Sequence, residues 1–126
     1  MILGTGIDIV EVARIAASCA KFGDHFVDHI LLPAEVAYCR SHKDPMPFYA
    51  ARFAAKEAVA KAFGTGIGAE LNFHDLEICR RESGVPYVVL HGRGRELFAA
   101  RGGRALHLSL THTAQYAAAT VVLEGA

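Results

Sequence analysis

Near the N-terminus, the residue best placed to do chemistry is Asp8, in the segment Gly6–Glu11. Strand-like alternation puts Leu3, Thr5, Ile7 and Ile9 on one face and Gly4, Gly6 and Asp8 on the other. The two glycines leave little side-chain bulk around the carboxylate, so another group can approach it closely. The alternative is that Asp8 only caps a helix or ends a strand in solvent.

A second candidate group lies in the alanine-rich segment Phe48–Phe63, which favours a helix. Tyr49, Phe53, Lys56, Ala60 and Phe63 share a largely apolar side, and Glu57 lies at its edge. Glu57 and Lys61 are four residues apart and stack one turn from each other. The competing interpretation is a surface ion pair of roughly 0.3–0.5 kcal/mol.

Asp8 and Glu57 are suited to a hard divalent cation such as Mg²⁺, which binds one or two carboxylates, substrate phosphates and water. Such a cation would neutralise a diphosphate and orient it for attack. Lys61 would offer a point charge to a phosphate. Spacing alone does not establish that the two carboxylates meet.

The third candidate group, Leu108–Thr113, closes a strand with His112 beside hydroxyl side chains, a pattern suited to holding a phosphate. A polar hairpin end is the equally open alternative. The glycine-rich stretch Gly64–Gly68 follows a helix instead of preceding one, which favours a helix-terminating loop over a phosphate-binding loop.

The elements that must position these groups follow from periodicity and turn residues. Predicted strands are Met1–Val10, Leu71–Arg80, Val85–His91, Leu106–Thr111 and Tyr116–Leu123; predicted helices are Glu11–Phe22, Asp24–Leu32, Ala34–Ser41, Phe48–Phe63 and Arg93–Arg101, with a loop over His42–Pro47. Short turns between strands imply mostly antiparallel pairing, so we expect an α+β fold in a single domain over residues 1–126.

Composition narrows the function classes. Thirteen basic residues balance thirteen acidic ones in 126 residues, which argues against a nucleic-acid partner. Three cysteines without C-x-x-C spacing argue against a disulfide framework or a structural zinc site. No apolar run reaches membrane-spanning length, so we expect no membrane association and a cytoplasmic location. The apolar content of 52% suggests that other subunits cover part of the surface.

Taken together, the three groups closely resemble the holo-acyl-carrier-protein synthase family, the short-chain branch of the phosphopantetheinyl transferases. The resemblance rests on Gly6–Glu11, on Arg52–Ala58 followed by Lys61 and Gly64–Ile67, and on Leu108–Thr113. It implies Mg²⁺-dependent transfer of 4′-phosphopantetheine from coenzyme A to a serine of an apo-acyl carrier protein. Adenosine 3′,5′-bisphosphate is the other product, and the pathway is fatty acid biosynthesis or a related carrier-dependent one.

The resemblance also implies roles for single residues. Asp8 and Glu57 match the magnesium ligands, and Lys61 matches a lysine close to the reacting phosphate. These three form the expected catalytic set. Arg52, Ser109 and His112, together with Lys61, match residues around the coenzyme A phosphates. The general base is left open among Glu57, Lys61 and a water on the metal.

The family resemblance further implies an assembly and a docking surface. It predicts a phosphopantetheinyl-transferase fold assembled as a homotrimer, with His112 reaching the site from the neighbouring subunit. Val10 stands where longer relatives carry a further acidic residue, so we expect water in place of a third protein carboxylate. Arg14 and Lys21 match the helix face that docks the acidic carrier protein.

Two other functions are compatible with the same residues. A magnesium-dependent phosphohydrolase would use the acidic pair and lysine without a protein acceptor. A non-catalytic oligomeric module would use Asp8 as a cap and Glu57–Lys61 as a surface pair. Turnover of coenzyme A without carrier protein identifies the first, and coenzyme A binding independent of magnesium identifies the second.

Overall fold

The computed structural model describes residues 1–126 and has an α+β architecture, as predicted. The strands are β1 Ile2–Glu11, β2 Leu76–Arg80, β3 Pro86–Leu90, β4 Gly103–His112 and β5 Tyr116–Gly125. The helices are α1 Val12–Phe22, α2 Asp24–Ile30, α3 Pro33–Arg40, α4 Met46–Phe63 and α5 Gly92–Ala100. No helix is long and apolar enough to cross a membrane.

The strands form two antiparallel sheets. One has the order β1-β5-β4, with β5 in the centre, and the other is the hairpin β2-β3. Helix α4 packs across one face of the larger sheet, mainly against β1 and β5, and also contacts α1, α3 and β2. It is apolar nearly all round, as a helix enclosed by other elements must be. Helix α4 is therefore the centre of the core.

Strand β1 lies close against α4 because Gly4 and Gly6 have no side chains. A Cβ atom on Gly6 would overlap the carbonyl oxygen of Ala58, and one on Gly4 would overlap that of Ala62. The close approach that the sequence predicts beside Asp8 is thus made by the backbone of this helix. Backbone-to-backbone packing brings the Asp8 position of β1 directly onto the carboxyl-terminal half of α4.

The opposite face of the same sheet is open and carries large apolar side chains. Ile7 and Ile9 are each 66% exposed, and Ile2 and Leu3 beside them are also exposed. Alternation along β1 was predicted correctly, but its larger apolar residues face outward while the glycines face the core. Contiguous exposed apolar surface of this kind marks an interaction site in a soluble protein.

Two predicted segments, one strand and one loop, are shorter in the structure than predicted. Strand β2 starts at Leu76, not Leu71, because Phe73–Asp75 forms a 3₁₀ turn in which the backbone N–H of Asn72 donates to Asp75 Oδ2 at 2.9 Å. The predicted loop His42–Pro47 is shorter, because α4 begins at Met46, whose N–H donates to Asp44 Oδ1 at 3.1 Å. The other predicted boundaries fall within three residues of the observed ones.

Replacing Gly6 with alanine should destabilise the fold, since the added methyl group has no room against Ala58. We expect Gly6→Ala to lower the free energy of unfolding by about 1–3 kcal/mol, the usual range for overpacking. Urea denaturation followed by circular dichroism at fixed protein concentration measures this. Ala17→Ser also adds one heavy atom, but on the exposed face of α1, and serves as the control. Equal stability of the two variants would refute the close-packing explanation.

Candidate active site

Asp8 lies on the core-facing side of β1, where its side chain is only 17% exposed. It pairs across the sheet with Ala119 of β5, a fully buried residue. The next residue on this side of the strand, Val10, is buried as well. Strand β1 continues through Glu11, so alternation points the Glu11 side chain to the opposite side of the sheet. Asp8 is thus the one carboxylate that β1 directs toward α4.

Lys61 of α4 contacts the same position on β1. Its Nζ donates to the backbone oxygen of Ile7 at 2.8 Å and to Asp8 Oδ1 at 3.2 Å. Its side chain is about half exposed. The ion pair between Glu57 and Lys61 considered from the sequence does not form, because Lys61 pairs with Asp8. The ammonium group therefore lies beside the carboxylate that the sequence marks as a metal ligand.

Glu57 lies one turn before Lys61 on α4 and is partly buried. Burial raises the pKa of its carboxyl group above the usual value, the negative charge of Asp8 raises it further, and the positive charge of Lys61 opposes both. Because the charge of Asp8 acts on Glu57, the two carboxylates share one electrostatic environment. The structure therefore brings Lys61 into contact with Asp8, and the charges of both act on Glu57.

The chemistry of this pair fits a hard divalent cation. A half-buried carboxylate next to a second carboxylate is destabilised as an anion unless a positive charge is present. No cluster of three or more His, Cys, Asp or Glu side chains occurs. Two carboxylates leave coordination positions for water and substrate oxygens, the pattern that Mg²⁺ prefers and that structural zinc sites do not show.

Arg52 lies elsewhere on α4, about 180° around the helix from Lys61. It is 2% exposed, its guanidinium lies over the ring of Tyr38 at 4.2 Å, and its Nε has no hydrogen-bond partner. It lines a groove of about 440 Å³ together with Arg80 and Arg81 of the β2–β3 hairpin. The groove is also lined by Glu35, Glu77 and Glu82, so its acidic and basic side chains balance. The buried guanidinium N–H without a partner is the group in it that is suited to receiving a hydrogen-bond acceptor.

Ser109 and His112 are separated from the acidic pair within one chain. Ser109 is exposed and lies opposite Thr120, in the same cross-strand row as Ile7 on the open face of the sheet. His112 ends β4 and packs edge-on against Phe48 with a ring separation of 5.0 Å. Phe48 precedes Glu57 by nine helical residues, or roughly 13 Å along the axis. One subunit alone does not place His112 at the carboxylates.

Arg14 and Lys21 are both exposed on α1, as predicted, seven residues and about two turns apart. The residues next to them on the exposed face, Ala13, Ala17 and Ala20, are small. Lys21 Nζ lies 5.1 Å from the ring of Phe22, which is 52% exposed. The end of α1 therefore presents a cationic surface with one large apolar side chain.

The sequence analysis missed a buried ion pair next to this site, between Lys56 and Glu35. It placed Lys56 on an aromatic and apolar helix side without a partner. The available signal was that such a lysine, surrounded by alanines and aromatic residues, needs a buried acceptor. The identity of that acceptor depends on tertiary structure, since Glu35 lies on α3, 21 positions earlier.

Comparison with known proteins gives one consistent result. The family model described as the 4′-phosphopantetheinyl transferase superfamily matches residues 4–121. A protein of Koribacter versatilis named holo-[acyl-carrier-protein] synthase is 52% identical, over 98% of this chain and 99% of its own. A protein of Edwardsiella ictaluri with the same name is 47% identical, over 98% of each chain.

Solved structures agree with the sequence comparisons. The holo-[acyl-carrier-protein] synthase of Neisseria meningitidis has a TM-score of 0.92 at 35% identity, over 98% of this chain and 99% of that one. The Helicobacter pylori synthase, solved in complex with coenzyme A, has a TM-score of 0.85 at 35% identity, over 95% and 99%. These matches confirm the resemblance drawn from the three sequence motifs. This chain belongs to the 4′-phosphopantetheinyl transferase superfamily.

Proposed function

We propose that this protein transfers 4′-phosphopantetheine from coenzyme A to a serine of an apo-acyl carrier protein. The serine Oγ forms a bond to the phosphorus next to the pantetheine arm. The bond from that phosphorus to the bridging diphosphate oxygen breaks, and adenosine 3′,5′-bisphosphate leaves. The serine proton is released in the same step. The holo-carrier protein then serves fatty acid biosynthesis or a related carrier-dependent pathway.

The observation that carries this proposal is the contact between Lys61 and Asp8 where β1 crosses α4, with the charges of both acting on Glu57. Two carboxylates suited to a divalent cation and one ammonium group provide the charges that a diphosphate substrate needs. An acceptor serine from another protein supplies the nucleophile. The family membership and the relatives named holo-[acyl-carrier-protein] synthase supply the identity of donor and acceptor.

In this proposal Asp8 and Glu57 hold one Mg²⁺. The bound ion would neutralise the diphosphate and help to align it with the attacking serine. Lys61 carries a positive charge beside Asp8 and can reach a phosphate oxygen through its half-exposed side chain. The enclosed position of Asp8 lowers the local dielectric constant, which strengthens each of these charge interactions.

Further contacts to the coenzyme A phosphates are assigned to Arg52, Ser109 and His112. Arg52 has a buried Nε without a partner, which could donate a charge-assisted hydrogen bond to a phosphate oxygen. Ser109 is exposed on the open sheet face and His112 at the end of β4, so both are free to contact a ligand.

A homotrimer would complete this site. The open apolar face of β1, with Ile7 and Ile9, provides surface for a neighbouring copy to cover. His112 packs on Phe48, which lies roughly 13 Å along α4 from Glu57, so a neighbour is the simpler source of a histidine at the acidic pair. Active sites would then lie between subunits.

The acidic carrier protein would dock on α1. Arg14 and Lys21 offer positive charge on one exposed helix face, and Phe22 adds apolar contact area at its end. Charges at the rim of an interface mainly accelerate association and make it sensitive to salt. The surface starts directly after the strand that carries Asp8, which places the docked serine near the acidic pair.

The transferase reaction is tested by the mass of a purified apo-acyl carrier protein incubated with this protein, coenzyme A and Mg²⁺. We expect a gain of one phosphopantetheine that a chelator blocks. Asp8→Asn and Glu57→Gln should lower the rate by about 1,000-fold or more, since each removes a ligand of an ion worth several kcal/mol. Glu11→Gln, which neutralises a carboxylate on the opposite side of β1, should retain activity.

Each outcome of that experiment has a distinct meaning. Release of phosphate or pantetheine phosphate from coenzyme A without carrier protein would favour a phosphohydrolase. Absence of any mass gain with several carriers, in a protein that still binds coenzyme A, would contradict the transferase proposal.

Glu57 should also make the metal-free protein pH-sensitive. A carboxyl group whose pKa is raised by folding stabilises the fold below its unfolded pKa, and this contribution is lost as the pH rises through the folded pKa. Its usual value is 4.5, so the loss begins above that pH. In the presence of a chelator we therefore expect Glu57→Gln to melt at a higher temperature than the wild type at pH 7.

The difference in melting temperature between Glu57→Gln and the wild type should disappear near pH 4. Glu11→Gln should show no such pH-dependent gain. Added Mg²⁺ should stabilise the wild type by mass action and leave Glu57→Gln unchanged. A Glu57→Gln variant less stable than the metal-free wild type at pH 7 would contradict this assignment.

Reversing the charge of Arg14 should weaken carrier docking. We expect Arg14→Glu to raise the KM for carrier protein roughly three- to tenfold while the KM for coenzyme A stays constant, because a rim attraction becomes a repulsion. Arg95→Glu, an equal change of charge on α5, is the control. An unchanged carrier KM in Arg14→Glu would remove α1 from the docking surface.

A further inference from the structure

Lys56, the residue immediately before Glu57, forms an ion pair with Glu35 that is sealed from solvent. Lys56 Nζ lies 2.8 Å from Glu35 Oε1, and the two side chains are 0% and 1% exposed. No other ion pair in the protein has both side chains buried. The pair touches neither Asp8 nor Lys61, and the reaction proposed above does not use it.

All three hydrogens of the Lys56 ammonium group have acceptors. Besides Glu35, Nζ donates to the backbone oxygen of Ile30 at 2.8 Å and to that of Phe73 at 3.0 Å. Those oxygens belong to the end of α2 and to the 3₁₀ turn before β2. One side chain thus ties α4 to three separate segments in three fixed directions.

The Glu35 carboxylate is equally well satisfied. Its Oε1 accepts the backbone N–H of Leu32 at 2.9 Å as well as Lys56, and its Oε2 accepts the backbone N–H of Ile78 at 2.9 Å. Glu35 therefore closes the first turn of α3 and at the same time holds β2. The complete network joins α2, α3, α4, the 3₁₀ turn and β2.

Stability alone does not account for two charges at this depth. Both charged groups have lost their contact with water, which carries a desolvation cost. A buried ion pair is often no more stable than apolar residues of similar volume. What the pair adds is direction, because each hydrogen bond restricts both distance and angle.

The apolar contacts of α4 in this turn are not directional. Its neighbouring core residues Ala54, Ala55 and Ala58 are fully buried and contribute only methyl groups to the packing. A smooth alanine surface permits small rotations and translations of a helix more readily than an interdigitated one. Lys56 fixes the helix on the side facing α3 and β2, and Glu57 follows 100° around the axis toward β1.

We propose that Lys56 and Glu35 are positioning residues that fix the rotation of α4 so that Glu57 faces Asp8. Neither residue contacts substrate. The inference rests on the proposed function, since it assigns the pair to the site where Asp8 and Glu57 would hold a divalent cation. Residues that hold metal ligands in place without binding the metal typically weaken metal affinity by about 10–100-fold when they are replaced.

The test replaces both charges together. Glu35→Gln with Lys56→Met keeps the side-chain volumes and an acceptor for one of the two backbone amides, and it avoids the cost of one unpaired buried charge. Thermal melting establishes that the variant folds. Mn²⁺ binding, measured from the electron paramagnetic resonance signal of the free ion, is the principal readout. The kcat and the KM values for coenzyme A and carrier protein are measured beside it.

We expect the folded double variant to bind Mn²⁺ about tenfold more weakly than the wild type. Its kcat should fall, and its KM for carrier protein should remain constant. The control is Asp24→Asn with Arg40→Met, which removes an ion pair of the same 2.8 Å length from the surface. It should leave Mn²⁺ affinity unchanged. Wild-type Mn²⁺ affinity and kcat in the double variant would overturn the proposal.

If the double variant does not fold, Glu35→Asp alone supplies the comparison, since it keeps both charges and both carboxylate oxygens and moves the carboxylate by one methylene group. A loss of about threefold in Mn²⁺ affinity supports the proposal, and an unchanged affinity overturns it. Mn²⁺ binding by the wild type and by Asp8→Asn tests the metal site itself, independently of the positioning role of Lys56 and Glu35. A wild type that binds no Mn²⁺, or binds it equally after Asp8→Asn, would overturn the acidic metal site itself.

Discussion

The close contact between β1 and α4 is the constraint on which the site depends. Two glycines on one face of the strand let the backbones meet, because a Cβ at Gly6 would overlap the Ala58 carbonyl. Asp8 follows on the same face and so reaches the helix at the turns that carry Glu57 and Lys61. The short alanine side chains of α4 permit the same approach from the helix side. Small residues in two elements thus determine where three charged ones meet.

Because these residues are small, polar contacts contribute more to fixing the rotation of α4. A helix whose core contacts are mostly alanine has few interlocking side chains to fix its rotation, and Lys56 supplies three directional bonds in their place. Successive charged residues on α4 therefore have different tasks. Lys56 is fully buried and paired, Glu57 is partly buried with a raised pKa, and Lys61 is half exposed on Asp8. The raised pKa of Glu57 reflects its burial and the nearby charge of Asp8.

Local sequence patterns predicted the α+β class and most element boundaries, and they marked Asp8, Glu57 and Lys61 as candidate site residues. Asp8 and Glu57 could be identified because their motifs are contiguous, while their meeting depends on packing across the Gly6–Ala58 contact. Glu35 was missed because its partner lies 21 positions away. The first part of predicted β2 is not a strand, because the backbone N–H of Asn72 donates to the Asp75 carboxylate and this hydrogen bond favours a turn over extended backbone. The outward apolar face of β1 follows alternation, but which face is covered depends on the glycines.

The central claim is that packing of β1 on α4 creates one cation site between Asp8 and Glu57. Anomalous X-ray scattering from crystals grown with Mn²⁺ and coenzyme A measures this directly. The account predicts a single strong peak per subunit within coordination distance of both carboxylates. A peak elsewhere, or none under conditions where the protein is active, would contradict it.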